Sequence, residues 1–313
     1  MGTSGINRFA RIKGSLRDRN NNWYLYLLVL PVILALVVFL WYPLLQGIWI
    51  SFHYWPLLGE HTWVGLQNYI TFISSEVFTT SLTMTFFMAV ASVPQLLIGL
   101  GAALALFHTE RLKNVLSTTF LVPFILPPLA SGTIIYFFLS PGFGPVQPAL
   151  MQLGIIDSPI FWRINALPAR IVVVGSLIWT YWPWAFIIFL AKRQSIPVEL
   201  YESAKMYGAS RWQMFRHITL PHMRGVLLFV IVFRIVNNIT KVEQNFQLTR
   251  GGPGYSTSPL SLVLYQFTRK QSQMGQAIAV GVLMLIIGLA LALPLIWFYE
   301  RSTQETNPEG GLA

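Results

Sequence analysis

A cluster of polar and charged residues interrupts the apolar second half of the chain, and binding chemistry is best supported there. Its members alternate hydrogen-bond donors and acceptors: Arg234, Asn237, Asn238, Lys241, Glu243 and Gln244. Because a hydroxyl group both donates and accepts hydrogen bonds, this mixture suits a polyhydroxylated ligand. A charge such as Arg234 inside an apolar segment is a functional hypothesis by default. The alternative is that Arg234 extends toward solvent or pairs with a neighbouring helix.

Aromatic residues form a second candidate group, about fifty residues earlier. Trp179 and Tyr181 lie close together with two further tryptophans, Trp182 and Trp184. Their flat faces could stack against sugar rings. The same residue types also anchor membrane helices at the interface with water, so both interpretations stay open.

Several chemistries are unsupported by the sequence. The dipeptide Gly-Lys never occurs, so the chain has no phosphate-binding loop of the G-x-x-x-x-G-K-[ST] type. It also has no cysteine for thiol catalysis or thiolate metal binding. The histidines are scattered over the chain: His53, His61, His108, His217 and His222. We therefore predict no catalytic residue, no metal site and no cofactor in this chain.

The elements that position these residues must be membrane helices. Hydrophobic residues make up 54% of the 313 residues and charged residues only 10%, against about 25% charged in soluble proteins. A soluble surface cannot be built from so few charges. The net charge of +10 suits anionic lipid headgroups better than nucleic acid, since no nucleic-acid-binding module is present.

Apolar segments long enough to cross a bilayer, about 20 residues, occur along most of the chain. We predict six transmembrane helices, and the fifth is short because it contains Arg234. The predicted spans are 23–52, 77–107, 115–138, 171–191, 225–239 and 274–299.

Orientation follows from the distribution of Lys and Arg. With both termini in the cytoplasm, 14 of these residues lie on the cytoplasmic side and 6 on the outer side. Cytoplasmic loops carry the excess of positive charge, so this asymmetry predicts a multi-pass protein with both termini cytoplasmic. The predicted parts are a basic tail 1–22, a membrane domain 23–300 with its core at 77–299, and a tail 301–313.

The longest cytoplasmic segment, 196–221, predicts two short helices separated by a glycine turn. Pro197 suits a first helical turn, and Gly208 suits a left-handed helix end. Ser210 and Gln213 then form a capping-box pair, and Pro221 is expected to end the second helix. So elaborate a connection suggests a docking surface for a cytoplasmic partner. A helical loop on the lipid headgroups is the alternative.

This segment resembles the EAA signature of binding-protein-dependent ABC importer permeases. The matching positions are Glu202, Ser203, Ala204, Gly208, Ile218, Leu220 and Pro221. In that family the element is a coupling helix that sits in a cleft of the ATP-binding subunit. Ser203 stands where the family has alanine, Tyr207 where an aspartate often precedes the glycine, and Gly225 where proline is frequent.

A second block resembles sugar-type members of this family. The segment 248–253, Leu-Thr-Arg-Gly-Gly-Pro, is similar to their LT-x-GGP loop between the last two spans. Further matches are Ile196-Pro197, the segment 65–69, and Gly275 with Ala277 and Ala279. The resemblance covers roughly residues 23–300.

The resemblance implies an all-α membrane protein with the type I ABC importer (MetI-like) permease fold, located in the cell's inner or cytoplasmic membrane. It implies half of a sugar pathway, formed in a pseudo-symmetric heterodimer with a second permease subunit. Two ATP-binding subunits would carry ATP and Mg²⁺, and an extracytoplasmic solute-binding protein would deliver the sugar, a di- or oligosaccharide. Substrate contacts would lie between the two permeases, partly on the fifth span.

Three alternatives stay open at this point. Arg234 and Lys241 would suit an importer of glycerol phosphate or another anionic solute. A membrane-embedded enzyme would need converging acid and base groups, which the scattered histidines do not provide. A self-sufficient secondary carrier would be expected to bury an acidic residue within the membrane, whereas Glu243 lies at the predicted outer edge.

Overall fold

The structure, a computed structural model, describes residues 23–56, 59–107, 113–269 and 274–304. Its regular elements are helices and one two-stranded antiparallel pair, β1 and β2, in which His53 faces Trp63. The predicted basic tail 1–22 and residues 305–313 of the predicted second tail lie outside the described residues. The elements, in chain order, are α1 Trp23–Leu36, a π-helix Val37–Trp41, α2 Tyr42–Ser51, β1 His53–Tyr54, β2 Thr62–Trp63, α3 Gln67–Ile73, α4 Glu76–Val90, α5 Ser92–Phe107, α6 Lys113–Ile125, α7 Pro128–Leu139, α8 Val146–Gln152, α9 Ala166–Gln194, α10 Val198–Met206, α11 Arg211–Met214, a π-helix Phe215–Thr219, α12 Leu220–Thr240, α13 Glu243–Thr249, α14 Leu260–Arg269 and α15 Met274–Gln304.

Five helical stretches of the described chain are long and apolar enough to cross a membrane, and a bent pair makes up to six. This agrees with the predicted multi-pass architecture. The five stretches are Tyr26–Ser51, Glu76–Leu106, Ala166–Gln194, Arg211–Thr240 and Met274–Trp297. The fifth predicted span, 225–239, is therefore part of a much longer helix.

The third predicted span, 115–138, is not one straight helix. Helices α6 and α7 meet at an angle of 94°. Pro127 adopts an extended conformation with ψ of 140°, because the residue before a proline is driven out of the helical region, here by Pro128. The consecutive prolines also remove two backbone donors, so the helix breaks at this point.

The chain divides into two compact units, residues 1–50 and 51–313. In the first unit, almost all side chains from Tyr26 onward, in α1, the π-helix and α2, are exposed. The second unit has a core in which α5 and α9 pack closely, with Ala103, Phe186 and Phe189 buried between them and their neighbours.

At Gly99 the backbone of α5 approaches α9 closely. A Cβ atom at this position would lie 2.8 Å from both the Ala185 Cβ and the Phe186 backbone nitrogen. Small residues let membrane helices approach at backbone distance. Two residues further on, Gly101 faces open space among the described residues, with no heavy atom within 4 Å of a Cβ there.

We expect Gly99→Ala to force α5 and α9 apart and to destabilise the protein by about 1–3 kcal/mol, the usual effect of overpacking. The measurement is the thermal unfolding midpoint of the purified chain in detergent. Gly101→Ala is the matched control and should leave the midpoint unchanged or slightly raised. Equal midpoints for the two variants would contradict the close approach of α5 and α9 at Gly99.

Candidate functional site

The predicted helix pair exists, with the predicted turn and cap. Helix α10 ends at Met206, and Gly208 two residues further on has a left-handed φ of +78°, which glycine adopts without strain. Ser210 then caps α11, because its side-chain oxygen accepts from the Gln213 amide at 3.2 Å. The Gln213 side-chain oxygen accepts from the Ser210 amide at 2.7 Å, which completes the capping box.

One face of α10 is fixed to the membrane helices. The Tyr201 hydroxyl lies 2.9 Å from the Thr219 Oγ1, and the Arg193 guanidinium stacks 4.1 Å from the centre of the Tyr201 ring. Tyr201 and Ile196 are buried in the same apolar cluster as Met223. The helix pair is therefore held to the ends of α9 and α12.

The end of α10 and the turn after it are exposed, and we call this region, Glu202, Ser203 and Met206 to Gly208, the tip. Met206 and Tyr207 are 88% and 91% exposed, and Glu202 and Ser203 are exposed beside them. Large apolar side chains displayed together at a turn are typical of a surface that a partner covers. Of the predicted coupling residues, Glu202, Ser203 and Gly208 belong to this open tip, whereas Ala204 is half-buried.

The prediction that Pro221 ends the second helix is wrong. Helicity continues without a break from Arg211 to Thr240. The π-helix Phe215–Thr219 precedes the proline, and the Leu220 amide donates to the Phe215 carbonyl across the wider turn. Such a turn relieves the clash between a proline ring and the carbonyl of the preceding turn. Ile218, Leu220 and Pro221 are thus half-buried parts of one long helix.

Arg234 is buried in the middle of this long helix, with only 3% of its surface exposed. Its Nε donates to the Gln95 Oε1 at 2.9 Å, and its Nη2 donates to the Asn238 Oδ1. Its guanidinium lies 4.7 Å from the centre of the Tyr181 ring. A buried guanidinium requires such partners, and here they come from three helices.

Asn238 and Gln95 extend this network to the backbone. The Asn238 Nδ2 donates to the Met88 carbonyl at 3.1 Å and to the Ser92 Oγ at 2.9 Å. The Gln95 Nε2 donates to the Leu177 carbonyl at 2.8 Å. The network therefore joins α4, α5, α9 and α12 at one level. Sequence analysis missed Gln95, although a single amide inside an apolar span is a signal that could have found it.

The short helix α13 packs against this region. The Gln244 Nε2 donates to the Thr180 Oγ1 at 2.7 Å, and the Gln247 Nε2 donates to the Thr133 Oγ1 at 2.9 Å. Gln244 is buried by these contacts. The segment between α12 and α14 is thus hydrogen-bonded to both α7 and α9.

Lys241 and Glu243 lie at the end of α12. The Lys241 Nζ is 4.9 Å from the centre of the Tyr181 ring. Burial lowers the pKa of Lys241, the Glu243 carboxylate opposes that shift, and Arg234 adds to it. Glu243 is exposed and Lys241 is half-buried, so these two charges stay accessible beside the buried network.

The predicted substrate-lining residues therefore fall into two groups. Those buried inside the chain are Arg234, Asn238, Gln244 and Tyr181, and those with accessible surface are Asn237, Lys241, Glu243 and Trp179. Trp179 is 39% exposed and lies on the side of α9 roughly opposite Tyr181, by the helical repeat. Besides Tyr181, the Trp184 ring lies near Arg234, 5.9 Å from the guanidinium carbon, and it stacks on the exposed Phe233 with ring centres 4.6 Å apart.

Comparison with known proteins identifies related chains. The model of a family described as "Binding-protein-dependent transport system inner membrane component" matches residues 95–306. A probable ABC transporter permease protein of Pyrococcus horikoshii is 30% identical over 280 residues, 88% of this chain and 96% of the relative. The trehalose/maltose transport system permease protein MalF of Thermococcus litoralis is 30% identical over 282 residues, 88% of this chain and 94% of the relative.

A solved structure shares the fold. A chain of a bacterial alginate ABC transporter, in complex with an alginate pentasaccharide-bound periplasmic protein, aligns with a TM-score of 0.77 at 23% identity. The alignment covers 92% of this chain and 98% of that chain. At this identity the similarity establishes the fold.

We expect Asn238→Leu to destabilise the protein by about 1–3 kcal/mol, because buried donors and acceptors around it lose their partner. The neighbouring Asn237→Leu is the matched control, since within the described part of the chain the Asn237 Nδ2 donates only to the Phe233 carbonyl of its own helix. Its thermal unfolding midpoint in detergent should stay close to that of the parent. The network has no structural role if the two substitutions lower the midpoint equally.

Proposed function

The chain belongs to the family of binding-protein-dependent transport system inner membrane components, and we propose that, as a permease of this family, it forms half of the pathway of an oligosaccharide or disaccharide importer. It is a multi-pass membrane protein and a transport component, not an enzyme. The observation that carries the proposal is the anchored helix pair with its exposed tip. It is what a membrane subunit needs to receive mechanical work from a soluble partner.

An ATP-binding subunit is the partner proposed for this tip. The chain has no phosphate-binding loop of its own, so ATP and Mg²⁺ belong to that subunit. Met206 and Tyr207 would enter an apolar cleft, with Glu202 at its edge. Both termini would then lie in the cytoplasm, on the same side as the tip, in accord with the Lys and Arg distribution.

One continuous helix connects the region of the tip to the membrane-spanning part of the chain. Helix α11, the π-helix and α12 form one body from Arg211 to Thr240, and Arg234 and Asn238 lie on it. A displacement at the tip would move this body against α5 and α9. Because packed interfaces have discrete arrangements, such a movement would switch the pathway between inward-facing and outward-facing states.

A sugar is the proposed substrate class. Relatives are named for trehalose, maltose and arabinooligosaccharides, and the similar fold comes from a transporter of the acidic polysaccharide alginate. Asn237, Lys241 and Glu243 offer accessible donors and acceptors for hydroxyl groups. They would line a cavity shared with a second permease subunit, in a complex with two ATP-binding subunits and an extracytoplasmic solute-binding protein.

An anionic solute is the second candidate, favoured by the positive charge in this region. Lys241 is the half-buried cation a solute could reach, and the buried Arg234 adds positive charge behind it, because its hydrogen bonds go to the neutral side chains Gln95 and Asn238. We expect a neutral disaccharide to compete with the transported sugar in vesicle uptake, and glycerol phosphate at equal concentration not to compete. If glycerol phosphate competed and the neutral disaccharide did not, the proposed substrate would be an anion, and the assignment as an importer would still hold.

We expect Gly208→Arg and Glu202→Lys to abolish ATP-driven uptake while membrane insertion and the unfolding midpoint stay close to those of the parent. Arginine at Gly208 is strained in the left-handed conformation and adds bulk at the tip, and Glu202→Lys reverses a charge there. Uptake is measured in proteoliposomes of the complete transporter, together with copurification of the ATP-binding subunit.

Conservative substitutions at the same positions are the controls. Gly208→Asn should retain most uptake, because asparagine tolerates the left-handed conformation, and Glu202→Gln should retain more than Glu202→Lys. ATP hydrolysis in step with sugar uptake in Gly208→Arg would show that the tip is not the docking site.

A further inference from the structure

A cavity of about 600 Å³ lies between the helix pair and the ends of α5 and α9, and neither Met206 nor Tyr207 is among its lining residues in the described part of the chain. Its walls come from the end of α5, the end of α9, one face of α10, and the region of α11 and the π-helix. Residues from all four contribute, among them Leu104, Arg193, Lys205, Arg211, Trp212 and Phe215. Its volume is in the range of cavities that hold small molecules or lipid headgroups.

The back wall of the cavity is preformed. Arg193 is buried against the Tyr201 ring, and Tyr201 is in turn bonded to Thr219. All three line the cavity. The positive charge of Arg193 is therefore held in one place and does not have to be ordered when a ligand arrives.

The charge of the cavity has one sign. Three cations line it, Arg193, Lys205 and Arg211, and no acidic residue is among its lining residues in the described part of the chain. The rest of its surface is mostly apolar, with Leu104 and Phe215 prominent. A free inorganic anion would use the cations and leave the apolar walls in contact with water. An anionic amphiphile would contact the cations with its headgroup and the apolar walls with its hydrocarbon chain.

The depth of the cavity agrees with a lipid. Leu104 and Arg193 belong to the last turns of helices that are long and apolar enough to span a membrane. The cavity therefore lies where hydrocarbon gives way to headgroups. Trp212, 65% exposed on its rim, has the amphipathic indole that favours this level. Basic pockets between membrane helices on the cytoplasmic side are known to bind anionic headgroups.

We propose that this cavity is a binding site for an anionic phospholipid, with the phosphate between Lys205, Arg211 and Arg193 and an acyl chain along Leu104 and Phe215. The lipid would sit behind the coupling helix, between it and the membrane helices. The site is distinct from the exposed tip at Met206 and Tyr207, so it does not depend on the proposed docking of an ATP-binding subunit.

The test uses the full chain alone, delipidated in detergent and titrated with phosphatidylglycerol or phosphatidylcholine of identical acyl chains, with bound lipid counted by native mass spectrometry. We expect phosphatidylglycerol to be retained preferentially. The double variant Lys205→Gln/Arg211→Gln should lower its affinity about tenfold or more, since each cation near a headgroup contributes on the order of 1 kcal/mol. Both positions are exposed, so the fold is expected to survive, which the unfolding midpoint checks.

The matched control is Arg216→Gln/Arg224→Gln. It removes two exposed cations of the long helix Arg211–Thr240 that do not line the cavity. It should leave phosphatidylglycerol binding within about twofold of the parent, because charge outside the site contributes little. Equal losses in the two double variants would overturn the site in favour of general surface charge.

Two further arms separate the possible occupants. Glycerol phosphate and inorganic phosphate, at the same concentration, should not displace the lipid, and displacement by either would overturn a lipid in favour of a free anion. Unchanged phosphatidylglycerol binding in Lys205→Gln/Arg211→Gln, together with loss of ATP-binding subunit copurification, would overturn the lipid site and assign this face to the protein partner.

Discussion

The requirement that a buried guanidinium be hydrogen-bonded governs the packing of this protein. Arg234 lies deep between apolar helices, where an unpaired charge would be very costly. Gln95 satisfies it from α5, and Tyr181 supplies an aromatic face from α9. Because Gln95 also binds the Leu177 carbonyl and Asn238 binds the Met88 carbonyl, these helices are fixed in rotation as well as in distance.

Because these membrane helices are fixed relative to one another, a displacement of the helix pair would be transmitted to them. Thr219 and Arg193 hold Tyr201 at one end of the long helix, and Arg234 lies about four turns further along it. A flexible connection between the helix pair and α12 would absorb any displacement of the pair before it reached the polar network. The π-helix before Pro221 keeps this helix continuous, so the same helix carries α11, Thr219 beside Tyr201, and Arg234 of the polar network.

Much of this architecture could be predicted from local sequence. The helix pair, its glycine turn and its capping box depend on residues no more than a few positions apart, so the prediction for Gly208, Ser210 and Gln213 was confirmed. The prediction that Pro221 ends its helix failed because it depended on context, since a π-helix accommodates that proline. Pro127 and Pro128 divide the predicted span 115–138 into two helices that meet at 94°.

The sequence by itself determined that the chain is a multi-pass helical membrane protein of the importer permease family, because length, apolarity and short motifs are local properties. Only the tertiary structure decided which polar residues face inward. Arg234 and Asn237 are three positions apart, yet one is buried and the other partly accessible. Gln95 is one of the packed neighbours of Arg234, and the distance between the two in sequence hides their contact. Burial is a property of packed neighbours, and no local pattern contains it.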